Sequence, residues 1–370
     1  MRVLVAFDKF KDALSAAQAC EAAAAALRAK HPDWTLDLCP LTDGGEGFAE
    51  TLTAAGHGRL EHLEVSGPRG GRVRAPIGLV RAKNLPAGVR TRLTLETDTT
   101  LAIIGMAAAS GLELVPRDQR DPWQASSCGT GELIRAAAIS GADAILLGVG
   151  GSATNDLGLG ALAVLGFDFP CVPIPANWEQ IDRVTGHVQL PPVFIACDVT
   201  NPLLGPRGAT ATFGPQKGLI PADLSRLEAE MARMAALLCE TCGQPLALVD
   251  TPGAGAAGGI AFGLMVAAGA KLVPGFDLVS DWLGLPARIT AADLVITGEG
   301  RFDATSLGGK GPGALVTAAR RLGKTAQVFA GSLGGPADEA HHAVTPAGLP
   351  LAEALPRTAE LLAAAVSRAL

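Results

Sequence analysis

The chain has 370 residues, 48% hydrophobic and 18% charged, which suits about two domains with sizeable cores and argues against disorder. A net charge of −6 with only 4% aromatic residues excludes the basic, base-stacking surface of a nucleic-acid binder. Mean hydropathy is +0.31, yet the longest uncharged run, 251–270, holds six glycines and a proline and is too weakly apolar to insert into a membrane.

Residues 2–7 read as a buried strand, 14–30 as a helix with Ser15 near its start, and 35–39 as a second strand followed by a loop and a helix to about Ala55. The apolar start, 3–7, is too short for a signal peptide and runs straight into Asp8 and Lys9, so a cytoplasmic location is expected. Residues 60–66, 72–80 and 91–96 read as strands joined by turns. Helical pattern returns at 101–109 and 131–140. The near-continuous apolar run 144–149 is the kind of strand found inside a parallel sheet. Beyond it come a strand at 193–197, an amphipathic helix at 222–239 and a glycine-rich helical stretch at 254–268. Strands at 294–297 and 327–330, with a helix at 312–322 between them, complete the pattern.

This succession predicts a two-domain α/β protein. A parallel, Rossmann-like or flavodoxin-like sheet is built from both chain ends, and a second, mixed α/β domain is inserted. The expected boundaries are 1–60, 120–170 and 286–370 for the first domain, 61–119 and 171–285 for the second. The seven cysteines are scattered, with one CxxC at Cys239 and Cys242, and the histidines lack metal-ligand spacing, so neither a disulfide framework nor a zinc site is expected.

Polar, glycine-rich loops follow several of these strands, where ligands bind in open parallel sheets. Asp8-Lys9-Phe10-Lys11 sets an acid beside lysines; it is either a base next to phosphate-neutralising charge or a helix cap. Asp43-Gly44-Gly45-Glu46-Gly47 can hold Mg²⁺ or a substrate hydroxyl, or form a plain turn. The loop 148–156 matches the dinucleotide pattern only loosely; Asp168 has the right spacing for a ribose acid, but 167–169 is too short a strand to carry it. A cradle for phosphate or carboxylate is the better reading. Glu299, Arg301 and Asp303 crowd another post-strand loop, with Lys310 close behind and no Walker A pattern. Asp198 ends a strand, and Lys217 lies in Phe213-Gly214-Pro215-Gln216-Lys217-Gly218. Acids, lysines and an arginine without a nucleophile–histidine arrangement suit phosphoryl transfer better than a Ser or Cys hydrolase.

Six of these segments together carry a resemblance. Thr42-Asp43-Gly44-Gly45-Glu46-Gly47, Gly150-Gly151-Ser152-Ala153-Thr154-Asn155-Asp156, Ala196-Cys197-Asp198-Val199, the Phe213–Gly218 segment, Pro252-Gly253-Ala254-Gly255-Ala256-Ala257-Gly258-Gly259 and Ile296-Thr297-Gly298-Glu299-Gly300-Arg301 resemble, in order, those of the bacterial class I glycerate kinases. The resemblance implies two α/β domains with a cleft between them. It also implies an ATP- and Mg²⁺-dependent kinase that converts D-glycerate to 2-phosphoglycerate. Three positions depart from the family pattern: Lys9 replaces a small hydroxyl residue, Gly105 a glutamate and Thr305 a glutamine. These departures bear on which hydroxy acid fits.

On this reading Asp198 or Asp43 orients or deprotonates the acceptor hydroxyl, while Lys11 and Arg301 neutralise developing charge. Gly150, Gly151, Ser152, Asn155, Asp156, Lys217 and Lys310 bind the nucleotide; Asp8, Glu46, Glu299 and Asp303 contact the substrate, and Glu299 holds the metal. The expected partners are a small hydroxy acid and ATP, with no nucleic acid, no membrane, and a homodimer compatible with the chain. The competing readings are a kinase for another hydroxy acid, a non-catalytic small-molecule sensor, and a dinucleotide-dependent oxidoreductase.

Overall fold

The computed structural model describes residues 1–303, 306, 311–335, 338 and 340–370. Packing divides the chain into a terminal unit, Met1–Asp43 with Val279–Leu370, and an inserted unit, Gly44–Leu278.

In the terminal unit five parallel strands lie in the order His341–Ala343, Thr325–Ala330, Leu294–Gly298, Arg2–Phe7, Thr35–Leu38. The inner strands are apolar on both faces, as helices on both sides of a parallel sheet require. Val3, Val5 and Phe7 pack on Ala19, Cys20, Ala23 and Leu27 of the helix Ala16–Lys30, and the same core takes Leu362 and Val366 of the helix Thr358–Ala369. Each such large apolar side chain contributes roughly 1.5–3 kcal/mol on burial. Alanines at the close approach let the first helix sit near the sheet. Its start is fixed by a capping box, in which the Ser15 hydroxyl accepts from the Gln18 amide and the Gln18 side chain accepts from the Ser15 amide.

The inserted unit carries a six-stranded sheet in the order Lys271–Val273, Val193–Ala196, Ala144–Gly148, Thr100–Gly105, Arg72–Arg81, Arg59–Ser66. The first four are parallel; the last two join antiparallel. This is the mixed α/β architecture read from the sequence, built from both ends with an insertion. The boundaries differ from those expected. Residues 44–60 and 120–170 belong to the inserted unit, because Ala144–Gly148 is hydrogen-bonded between Thr100–Gly105 and Val193–Ala196, not into the terminal sheet.

Two elements also exchange identity. The expected strand 91–96 is the end of a helix, Ala87–Arg92, and a turn, whereas the expected helix 101–109 is the strand Thr100–Gly105 followed by the short helix Ala107–Ser110. A run such as Leu101-Ala102-Ile103-Ile104, buried throughout, has no period of its own, so its strand neighbours decide it. The uncharged run 251–270 resolves into a tight turn, Ala256–Gly259, and the nine-residue helix Ile260–Ala268. Among the described residues no helix is long and apolar enough to cross a membrane.

Candidate functional site

In the terminal unit the register of two strands creates the first cluster. Phe7 and Gly298 are paired at the carboxyl ends of neighbouring parallel strands, so Asp8 and Glu299 emerge side by side, and the Asp8 amide donates to the Gly298 carbonyl at 3.0 Å. The chain leaving the strand Thr35–Leu38 returns to the same edge: the Leu41 amide donates to the Phe7 carbonyl, which brings Asp43 alongside. Lys9 Nζ donates to Asp43 Oδ1 at 3.0 Å, and the Lys9 amide to Asp8 Oδ1 at 2.7 Å.

Asp8 is 5% exposed. Burial first, then the charge of Asp43, pushes its carboxyl from 3.8 up to about 7, although Lys9 and its amide pull the other way. Glu299 is raised in the same direction by burial, with the Ser306 hydrogen bond opposing and Asp43 adding to the rise. Among the described residues its Oε1 is buried without a hydrogen-bond partner. Arg301 is largely exposed and bonds Asp303 at 3.0 Å. Lys11 is exposed. Lys310 and Thr305 lie outside the described residues.

The second set belongs to the inserted unit. The loop after Ala144–Gly148 is held close to another glycine-rich loop: the Gly150 amide donates to the Gly44 carbonyl at 2.9 Å, and a Cβ on Gly150 would come within 2.7 Å of the Gly45 nitrogen. Only glycine allows that approach. Gly258 performs the same service on the far side, at φ +70°, where a Cβ would strike the Thr154 carbonyl at 2.0 Å. Glu46 lies against Gly151, its Oε1 2.4 Å from where a Cβ would stand.

Three residues expected to touch nucleotide turn out to be interior. Asp156 is wholly buried and accepts from the Ser127 amide at 2.8 Å, the Ser127 hydroxyl at 2.7 Å, and the Gly158 and Gly160 amides at 3.2 Å each. It ties the starts of the helices Cys128–Ile139 and Leu159–Leu165 to the loop, and those four donors hold its raised proton affinity in check against burial. Asn155 is also fully buried and donates to the Thr210 hydroxyl at 3.1 Å. Lys217 is 1% exposed, donating to the Ser152 hydroxyl at 2.9 Å and the Thr154 carbonyl at 2.6 Å. These side chains shape the loop from within; Ser152 is buried beside them at 6% exposed, Gly150 is half-buried with its amide bonded to Gly44, and Gly151 is exposed.

Asp198 stands at the end of its strand and accepts from the Phe276 amide at 2.9 Å. The amide it accepts from lies at the start of the helix Gly275–Leu283, 78 residues on, so it ties its strand end to that helix. Sequence reasoning missed Ser127 and Thr210 as partners. The Ser126-Ser127 pair before an apolar run was a visible helix-start signal, but nothing local connects Thr210 to Asn155.

A profile of the glycerate kinase family matches residues 3–369. The chain belongs to that family. This family member is 39% identical over 344 residues to glycerate kinase of Haemophilus influenzae and 38% identical over 348 residues to glycerate 2-kinase of Escherichia coli. Each alignment covers 90% of this chain and 86% of the relative. A crystal structure of a Salmonella typhimurium LT2 protein assigned as glycerate kinase 2 superposes with a TM-score of 0.72 at 36% identity, covering 100% of this chain and 96% of that one.

The acids of this glycerate kinase family member fit a magnesium ion. Among the described residues no three acids, histidines or cysteines converge to form a cage by themselves. Mg²⁺ beside phosphates needs only one or two carboxylates, with water and phosphate oxygens completing its shell. The unpartnered Glu299 Oε1 and the mutual repulsion of Asp8 and Asp43 are what such a cation would relieve.

Proposed function

We propose that the protein transfers the γ-phosphoryl group of ATP to the 2-hydroxyl of D-glycerate. The observation that carries this reading is the cluster of Asp8, Asp43 and Glu299 at adjoining strand ends, in a chain matched by the family from end to end. A carboxyl poised near pH 7 suits a general base that takes a proton from an alcohol during attack. Asp8 or Asp43 accepts the hydroxyl proton, the new P–O bond forms, and ADP leaves with the electrons of the broken bond. Glu299 would hold Mg²⁺, which when bound neutralises phosphate charge. Lys9 keeps Asp43 oriented, and Arg301 and Lys11 supply positive charge for the substrate's anionic groups, an effect worth several kcal/mol where water is excluded. The exposed Gly151 and the hydroxyl of Ser152 serve anionic oxygens in the inserted unit, on a loop whose course is fixed by the Gly150 amide bonded to the Gly44 carbonyl. ATP as phosphoryl donor agrees with a cytoplasmic location.

Asp198 is proposed to act on the substrate as well as on the helix start. Asn also accepts a hydrogen bond at a helix N-terminus, so Asp198→Asn keeps the fold. Turnover is expected to fall by about 10²-fold or more with unchanged thermal unfolding. Turnover within about threefold of wild type would leave Asp198 as a cap alone.

The direct test is ATP-dependent phosphorylation of a panel of small hydroxy acids, with the phosphate position read by ³¹P NMR. D-Glycerate is expected to be the preferred acceptor and C2 the site of phosphorylation. Nucleotide binding without turnover of any acceptor would favour the sensor reading. Preference for another acid would assign weight to Lys9, Gly105 and Thr305.

A further inference from the structure

Lys217 is the one lysine or arginine among the described residues that is buried. It projects from the short turn Pro215–Lys217 into the loop that ends at Asp156, and its two hydrogen bonds there go to neutral oxygens. An ammonium has three donors and no acceptor, so the bonding leaves it one donor short. Burial disfavours its charge and outweighs the attraction of Asp156, which faces it while accepting from four donors; Arg69, Arg120 and Asp121 line the same small space. Of these, Asp121 is 3.9 Å from Arg69, and Arg120 donates to the carbonyls of Val115 and Leu112 at 3.4 and 3.5 Å. Burial accordingly draws the Lys217 amine down to about 7.

The oxygens around it are equally incomplete. Ser152 Oγ accepts from Lys217, and no acceptor among the described residues takes its own hydrogen. In the same loop Thr154 Oγ1 and Asn155 Oδ1 are buried without partners among the described residues. Native interiors rarely leave several polar atoms of one loop unsatisfied, and such groups call for an explanation.

We propose that Lys217 is a positioning residue for anion recognition, fixing Ser152 so that its hydroxyl donates to an anionic oxygen of a ligand bound on the Gly150–Asp156 loop. The anion is a phosphate of ATP or the carboxylate of glycerate, so the inference rests on the kinase reading. Charged Lys217 can only donate to Ser152, which turns the serine hydrogen away from the amine and toward the ligand. Neutral Lys217 accepts that hydrogen, and the serine then presents a lone pair that repels an anion. Anion binding therefore selects the charged lysine and takes up a proton from solvent at mildly alkaline pH.

Isothermal titration calorimetry on the full chain at about pH 8, in HEPES and in Tris, reads that uptake from the difference in apparent enthalpy. One arm uses the non-hydrolysable imido analogue of ATP with Mg²⁺, the other D-glycerate. One of the two is expected to bind with uptake of roughly half a proton or more that is absent in Lys217→Met. Subtracting that variant cancels protons exchanged by the ligand itself or by Asp8. Affinity for the same ligand should fall about tenfold or more, and the other ligand should be little affected. Thermal unfolding checks that Lys217→Met folds. Ser152→Ala, which leaves the lysine in place, supplies a second arm and should reduce uptake for the same ligand. Binding with equal uptake in wild type, Lys217→Met and Ser152→Ala would overturn the proposal and leave the kinase reading standing. Failure of both ligands to bind wild type would overturn both.

Discussion

Asp8→Asn is expected to lower turnover by about 10²–10⁴-fold and, in the same protein, to raise stability at alkaline pH. The two effects have one cause. Burial and the neighbouring Asp43 charge hold the Asp8 carboxyl at about 7 instead of 3.8. In the unfolded chain the group ionises near pH 4, whereas the folded protein keeps its proton until about pH 7. Stability therefore declines as pH rises through that window, by an upper bound of about 4 kcal/mol, and stays reduced above it. Asparagine carries no charge to desolvate and keeps the shape. Its gain should be present at about pH 8 and vanish below about pH 4, read from chemical unfolding at both values alongside kcat. A stabilisation equal at both pH values would show that packing, not charge, is responsible. Turnover within about threefold of wild type would remove Asp8 from the chemistry. Energy stored against the folded state at a reacting group is the usual form of a trade between stability and activity.

The sequence was most readable where structure is local. The strands Arg2–Phe7, Leu294–Gly298 and Thr325–Ala330 are short apolar runs bounded by charged or glycine residues, and the helix Ala16–Lys30 announces its start with Ser15 and Gln18. The loops that follow those strands were candidates by position alone, and Asp8, Asp43 and Glu299 do come together there. What was not readable depends on distant partners. Thr100–Gly105 is a strand because Ala144–Gly148 pairs with it more than 40 residues later, and the same pairing moves the domain boundary. Asp156 looked like a ligand residue; Ser127, 29 positions earlier, makes it an internal tie. Lys217 looked like a phosphate contact on the surface until Ser152, 65 positions away, drew it inside. Charge and glycine content mark where a ligand-binding loop lies, but they do not say which side of the loop each side chain occupies.

Glu299→Gln should also reduce turnover by about 10²-fold or more, and in a way that separates metal handling from folding. Glutamine preserves the side chain's shape and an oxygen for the Ser306 hydrogen bond, so that tie is kept. It removes the negative charge from the position where Oε1 lies buried without a partner among the described residues. A hard divalent cation loses much of its attraction to a neutral amide oxygen, so the Mg²⁺ concentration giving half-maximal turnover at saturating ATP should rise about tenfold or more. Asp43, paired with Lys9, remains ionic and keeps some of the cation's affinity, so excess Mg²⁺ should restore part of the lost rate. Burial already disfavours the Glu299 charge, which means the amide should leave the protein at least as stable at neutral pH. Lost turnover with undiminished thermal stability and a displaced Mg²⁺ curve would place Glu299 at the cation. An unshifted Mg²⁺ curve would confine it to shaping the loop, and the buried orphan oxygen would then need a different cation, most simply the Lys9 ammonium swinging from Asp43.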